Sequence, residues 1–159
     1  MEPRTRRREK SRSTAPIAGQ FLALPHSVLN SQAYLGLSFA AQSLLIDIAV
    51  QFNGMNNGHL LSSMRVLGPR RWRSSATVRK ALTALEEAGL IYQTAQGKFP
   101  NDANLWAITW QALHPSDKFD PGHFEGFQKG RYSMFDPLPT IQKMKQAVSN
   151  ADAVSSDRF

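Results

Sequence analysis

Between residues 74 and 90, apolar and cationic side chains separate onto two faces with the period of a helix, and no other stretch restricts the fold as strongly. Val78, Ala81, Leu82 and Leu85 recur at three-and-four spacing, which gathers them into one stripe that Ala88 and Leu90 prolong. A stripe of that kind holds its shape only against a core. Ser74 or Ser75 is placed to accept a hydrogen bond from an unpaired first-turn amide, and Gly89 to adopt the left-handed conformation that stops a helix without steric cost. The opposite face carries Ser75, Ala76, Arg79, Lys80 and Thr83, short side chains first and two long cations a turn later. A helix whose N-terminal half enters a groove of nucleic acid has this profile, and so does an ordinary solvated face. Glu86 and Glu87 come late, where they would be held away from phosphate.

The flanking segments favour the groove. Leu90 to Thr94 is rich in strand formers, Ala95 to Asn104 collects Gly97, Pro100, Asn101 and Asp102, and Leu105 to Trp110 is a second strand, so a hairpin with a long tip follows the helix directly. Lys98 sits at that tip, within reach of a phosphate or a minor groove. Trp106, Ile108 and Trp110 share one strand parity and Leu105, Ala107 and Thr109 the other; one set packs beneath the helix, and periodicity does not say which. Upstream, Ser62 to Gly68 fits a short serine-capped helix that Pro69 terminates. From 65 to 80 there are six bases, Arg65, Arg70, Arg71, Arg73, Arg79 and Lys80, and no acid. That charge density repels itself unless an anion lies against it, and duplex DNA is the usual one. Trp72, among these arginines, fits a wedge packed on the domain better than a base-stacking residue.

A longer apolar helix is expected earlier, with Ser38 as its cap and Ala41, Leu44, Leu45, Ile48 and Phe52 as its buried stripe. Ile46 and Val50 lie off that stripe, where they would meet Leu22, Leu24, Val28, Leu29 or a second subunit. Asn53 to Gly58 is a turn built from residues that tolerate positive backbone angles, and His59-Leu60-Leu61 would add a third strand to the hairpin. Pro25 can open a short helix through Val28 and Leu29. The order describes an α+β domain, a winged helix-turn-helix with a three-helix core and a small antiparallel wing sheet over residues 20–113. A basic N-terminal arm, 1–19, precedes it and an aromatic, Pro/Gly-rich strap with a short helix, 114–159, follows.

Charge is distributed accordingly. The chain carries a formal net charge of +7, and residues 1 to 12 hold six bases, among them Arg6, Arg7 and Arg8, against two acids. Having nothing to bury, the arm is expected to order only on binding. From Asp117 onward six bases balance six acids, and Phe119, Phe124, Phe127, Tyr132 and Phe135 between glycines and prolines describe an extended strap, laid on its own domain or on another subunit. Ile141, Met144, Lys145 and Val148 share one face of a short helix. No apolar run follows the arginines as in a signal peptide, no stretch approaches a membrane span, and the absence of cysteine fits the cytoplasm. His26, His59, His114 and His123 lack metal-ligand spacing, Glu86 and Glu87 diverge, and neither a phosphate cradle nor a nucleophile elbow is present. No metal, cofactor or catalytic residue is expected, and no enzyme.

Leu37-Ser38 with its helix, the turn Asn53-Gly54-Met55-Asn56-Asn57-Gly58-His59-Leu60, Thr77 to Leu82, Leu85 to Ile91 and Leu105 to Trp110 together resemble the winged-helix proteins of phages, plasmids and integrative elements. Over residues 21 to 113 the chain is similar to the DNA-binding domain at the front of phage replication proteins, without their large partner-recruiting or catalytic domains. The resemblance implies double-stranded DNA bound through Ser75, Arg79, Lys80 and Thr83, with the wing near Lys98 alongside. Arg70, Arg71 and Arg73 would sit on phosphates. A transcriptional regulator or repressor is the leading expectation; an origin-binding replication accessory and a protein-interaction module are the alternatives. A homodimer and a host or replication protein are further candidate partners, and a membrane is not. Such a protein requires Arg79 and Lys80 open to solvent, and Tyr92 and Trp106 in neighbouring strands.

Overall fold

The computed structural model describes residues 19–98 and 102–134. The arm with Arg6, Arg7 and Arg8, the hairpin tip at Pro100 and Asn101, and the short helix expected from Ile141 to Val148 lie outside the described residues.

Ser31, Ser38 and Ser74 each start a helix through a side-chain cap bond, while the remaining single-turn helices form without one. Pro25 precedes α1 (His26–Leu29), and Ser31 starts α2 (Gln32–Leu35) by accepting from the Tyr34 amide at 3.1 Å. Ser31 also donates to the Val28 carbonyl at 2.6 Å, so one buried hydroxyl joins two single-turn helices. The sequence gives α2 only a cap and a stop, Ser31 and Gly36, too little to predict it. Ser38 caps α3 (Phe39–Ala49), whose Ala41, Leu44, Leu45, Ile48 and Ala49 are buried. α3 ends before the expected Phe52, which is only half-buried, because the chain turns at Val50 to begin the Asn-rich loop.

β1 (Leu60–Leu61) leads to α4 (Met64–Leu67), then to α5 (Ser75–Glu87), β2 (Ile91–Ala95) and β3 (Leu105–Ile108). The serine cap expected on α4 is not made: Ser63 accepts no cap bond, and Ser62 instead takes the Trp106 indole N–H at 2.8 Å. Nor does Pro69 end the turn. It sits where an amide hydrogen is not needed, and a 3-10 turn continues through Arg70. Trp106 lies in β3 opposite Gln93, and Tyr92 opposite Ala107, in an antiparallel sheet of order β1-β3-β2. The result is a mixed α+β arrangement of short helices about a small three-stranded sheet, compatible with a winged layout.

α3 packs along α5, and Val78, Ala81 and Leu85 share one core with Leu44, Leu45 and Ile48. Leu82, expected in that stripe, is half-buried at its margin. Neither parity of β3 is left open: Trp106, Ile108 and Trp110 enter the core, while Ala107 and Thr109 are covered as well.

The strap explains the second covering, since it lies on the chain's own sheet. His59 meets Phe119 in a tilted contact with ring centroids 5.2 Å apart, and Tyr92 meets His123 at 6.0 Å and Phe127, edge to face, at 5.7 Å. Burial raises the Tyr92 phenol above its ordinary 10.0, against the opposing pull of Arg131. The strap is not wholly extended, because Gly122, in a left-handed conformation, starts the single-turn α6 (His123–Gly126) and a 3-10 turn follows at Arg131–Ser133. Asp120 donates its amide to the Thr94 carbonyl at 3.0 Å and the His123 ring donates to the Gln93 carbonyl at 2.8 Å, which occupies two carbonyls of edge strand β2 from the strap. The other edge is closed by a side chain: Gln51 accepts from the Leu61 amide at 3.0 Å and donates to the Leu61 carbonyl at 2.8 Å. No helix among the described residues is long and apolar enough to cross a membrane.

Asn57 fastens the loop to the sheet. It is 1% exposed, accepts from the Ile108 amide at 2.9 Å, and shares its own amide hydrogens among the carbonyls of Ile108, Gln111 and Ala112. Asn57→Ala would strand several buried backbone groups at about 1–3 kcal/mol each. Urea unfolding is expected to show a loss of about 3 kcal/mol, with Gln42→Ala, which frees a single half-buried carbonyl, below about 1 kcal/mol.

Candidate nucleic-acid interface

α5 presents its outer face because its inner face is sequestered. Ser74 is its N-cap, accepting from the Thr77 amide at 3.2 Å, and Ser75 becomes the first helical residue. Gly89, at φ 70°, ends the helix: its amide reaches the Glu86 carbonyl at 2.9 Å and the Leu90 amide reaches Leu85 at 3.0 Å, a Schellman closure. A side chain at Gly89 would also press on Arg131 and the Tyr132 amide, where the strap passes. Between these ends Ser75, Ala76, Arg79, Lys80 and Thr83 are all exposed. The Thr83 hydroxyl donates to the Arg79 carbonyl at 3.2 Å, which leaves its lone pairs and methyl group facing outward.

The turn ahead of α5 repeats the same closure with a different residue at its pivot. Arg71 donates to the Gly68 carbonyl at 3.0 Å and Trp72 to the Leu67 carbonyl at 3.3 Å, as Gly89 and Leu90 do one helix later. Yet the pivot is an arginine at φ 72°, the only non-glycine with positive φ among the described residues. A side chain there costs about 1–2 kcal/mol, so neighbouring contacts must hold it. They centre on Asp47 of α3, whose carboxylate accepts from Arg70 Nε at 2.5 Å and from Trp72 Nε1 at 2.7 Å. Trp72 is thus a wedge against the domain, anchored through its indole.

Arg65, Arg71, Arg73, Arg79 and Lys80 are exposed, and the Arg70–Asp47 pair is the only ion pair among the described residues. Arg70 differs from its neighbours: the guanidinium expected on a phosphate has one donor committed to Asp47. Lys98 is exposed at the last described residue before the hairpin tip, where Gly97 donates to Asn104 at 2.8 Å. Asp47 escaped the sequence reading, although it is the lone charge on α3.

This bracket of Asp47, Arg70 and Trp72, together with Phe39, Ile46 and Arg71, lines an open depression of about 650 Å³, and Phe39 is 88% exposed. Two histidines make structural hydrogen bonds, while the buried His114 Nδ1 has no hydrogen-bond partner among the described residues. His59 meets Ser116 at 2.9 Å, His123 bonds to Gln93, and no group of three metal-ligating side chains occurs among the described residues. No protein-family model matches the chain, and no curated protein or solved structure matches it either.

Arg71→Gly relieves the strained pivot, at the cost of a more flexible unfolded chain. Thermal unfolding is expected to show a gain of about 0.5–1 kcal/mol, whereas Arg71→Ala, which keeps the strain, should not stabilise. A loss on Arg71→Gly would mean that contacts of the arginine stem outweigh the strain.

Proposed function

We propose that this chain is a winged helix-turn-helix protein that binds double-stranded DNA and acts, in the cytoplasm, as a repressor or other regulator by occupying a site, with no catalytic step. One observation carries the proposal: the buried stripe of α5 turns Ser75, Arg79, Lys80 and Thr83 outward together, with exposed Arg65, Arg71 and Arg73 on the segment that leads into the helix. α4, its turn and α5 form the helix-turn-helix, and β2–β3 the wing, with Lys98 toward its tip.

The residues divide by reach and position. Arg79, Lys80 and Thr83, on the exposed face of α5, are the base-edge candidates, since a long cation can approach guanine O6 and N7 in a major groove. Arg65, Arg71, Arg73 and Lys98 are assigned to phosphates, with the basic arm of Arg6, Arg7 and Arg8 along the flanking duplex. A single copy reads few base pairs, so paired occupancy of a repeated site accompanies the proposal. Kinship with mobile-element proteins rests on the sequence resemblance. An origin-binding accessory would use the same surface and differ in showing several repeated sites near an origin rather than one operator.

A second function is favoured by the exposure of Phe39 in the depression beside Trp72. A partner protein docking there would make the fold an interaction module, and the strap, laid on its own sheet, would not be the docking element. Phe39→Ser separates the two: duplex affinity is unchanged if α5 binds DNA, while partner pull-down at matched salt is lost if the depression is the functional surface.

Neutralising about five phosphates gives a slope of about −4.5 for log affinity against log salt. Arg79→Ala should reduce preference for the selected sequence over random duplex, whereas Arg71→Ala should weaken both alike. Selection from random DNA followed by gel shifts between low and physiological salt measures both; a flat salt response, or equal non-selective losses, would refute the assignment.

A further inference from the structure

The bracket on Asp47 joins the supporting core to the turn that leads into α5, where Leu67 is buried and Trp72 packs at the core's margin. Asp47 belongs to α3, in the supporting core, and its side chain is 15% exposed, whereas Arg70 is 44% exposed on the turn. One carboxylate oxygen takes Arg70 Nε and the other takes Trp72 Nε1. These two donors straddle Arg71, the residue held at φ 72°. The carboxylate therefore grips the strained pivot from both sides, and it cancels the charge of one arginine in a run otherwise free of acids.

We propose that Asp47 is a positioning residue for DNA recognition: it withdraws Arg70 from the phosphate-contacting set and fixes the turn that aims α5, exchanging non-specific affinity for selectivity. The inference rests on the DNA-binding function proposed above. Phosphate contacts carry no sequence information, and each one added tightens binding to every duplex alike. A cation held by an internal carboxylate adds nothing to that shared term. The carboxylate's second bond, to Trp72, holds the chain two residues before the N-cap Ser74, so the direction in which α5 leaves the turn is set from the core. Arg71, free of ion pairs among the described residues, then projects from a pivot that cannot swing.

Charge accounting tests the bracket. Arg70→Ala in an otherwise unaltered chain is expected to leave the salt slope unchanged, since Arg70 does not meet phosphate. Asp47→Asn keeps the shape of the side chain but releases the cation, and should steepen the slope by about 0.9 while the ratio of cognate to random affinity falls. Combining the two substitutions should restore the original slope, which a purely structural role for Asp47 does not predict. Trp72→Phe removes the indole donor and leaves the ion pair, so selectivity should fall without any change in slope. A slope made shallower by about 0.9 in Arg70→Ala, or a folded Asp47→Asn with unaltered slope and a lower melting temperature only, would overturn the proposal. The first of these needs no change to the core, so the test survives if Asp47→Asn does not fold. If the unaltered chain shows no affinity for any duplex, the DNA-binding function itself falls, and the inference with it.

Discussion

The inner stripe of α5 cannot be buried without turning its cations to water. Val78, Ala81 and Leu85 are 4%, 4% and 0% exposed, and burying side chains of the larger kind contributes about 1.5–3 kcal/mol each. Rotating the helix to hide Arg79 or Lys80 would forfeit that burial and strand charge in the core, where ionised groups are far more costly than apolar ones. Packing therefore fixes the orientation of the candidate recognition surface, and it does so with no contribution from the surface itself. Substitutions on the outer face are free to vary recognition while the fold stays intact, a separation that suits a DNA-reading helix.

Strain is placed unevenly around that helix. At its C-terminal end Gly89 closes the turn with no steric penalty, where the strap passes over it and leaves no room for a side chain. Ahead of its N-terminus the same backbone geometry is imposed on Arg71, although glycine would be the relaxed choice. A residue held in a sparsely populated conformation persists only where its surroundings over-determine it. The two hydrogen bonds to Asp47, one on each side of Arg71, supply that over-determination. What the molecule gains is a long, exposed cation at the apex of the turn.

Local regularity made much of this arrangement legible in the sequence. The period of α5, Gly89 as its stop, the Asn53–Gly58 turn and the pairing of Tyr92 and Trp106 strands all follow from signals in neighbouring stretches of chain. The interactions that escaped are the ones between lone groups far apart in the chain. Ser62 looks like a helix cap, but the indole of Trp106, 44 residues away, is the stronger claimant. Asp47 looks like a stray acid on a greasy helix until Arg70 and Trp72 come to it from 23 and 25 residues away. Arg71 is hidden for another reason: sequence rules expect glycine at a left-handed pivot, and an arginine there gives no warning. The strap's aromatic composition announces that it lies on a surface, but composition holds no information about which.

The two sheet edges constrain how copies of this chain can meet. An unpaired strand edge is the usual place for a second copy to add on. Here the Gln93 and Thr94 carbonyls of β2 are taken by His123 and Asp120, and the amide and carbonyl of Leu61 in β1 by the Gln51 side chain, which presents both an acceptor and a donor. Strand addition would have to displace one of these sets at the cost of several satisfied backbone groups, each worth about 1–3 kcal/mol when buried unpaired. Any pairing of copies would then fall to helix faces. Of those, the N-terminal end of α3 at Phe39 and the C-terminal end at Val50 carry exposed apolar side chains, 88% and 46% exposed, on a helix whose opposite side already backs α5. Contact there would involve the helix that bears Asp47, so any pairing and the direction of α5 would share one element.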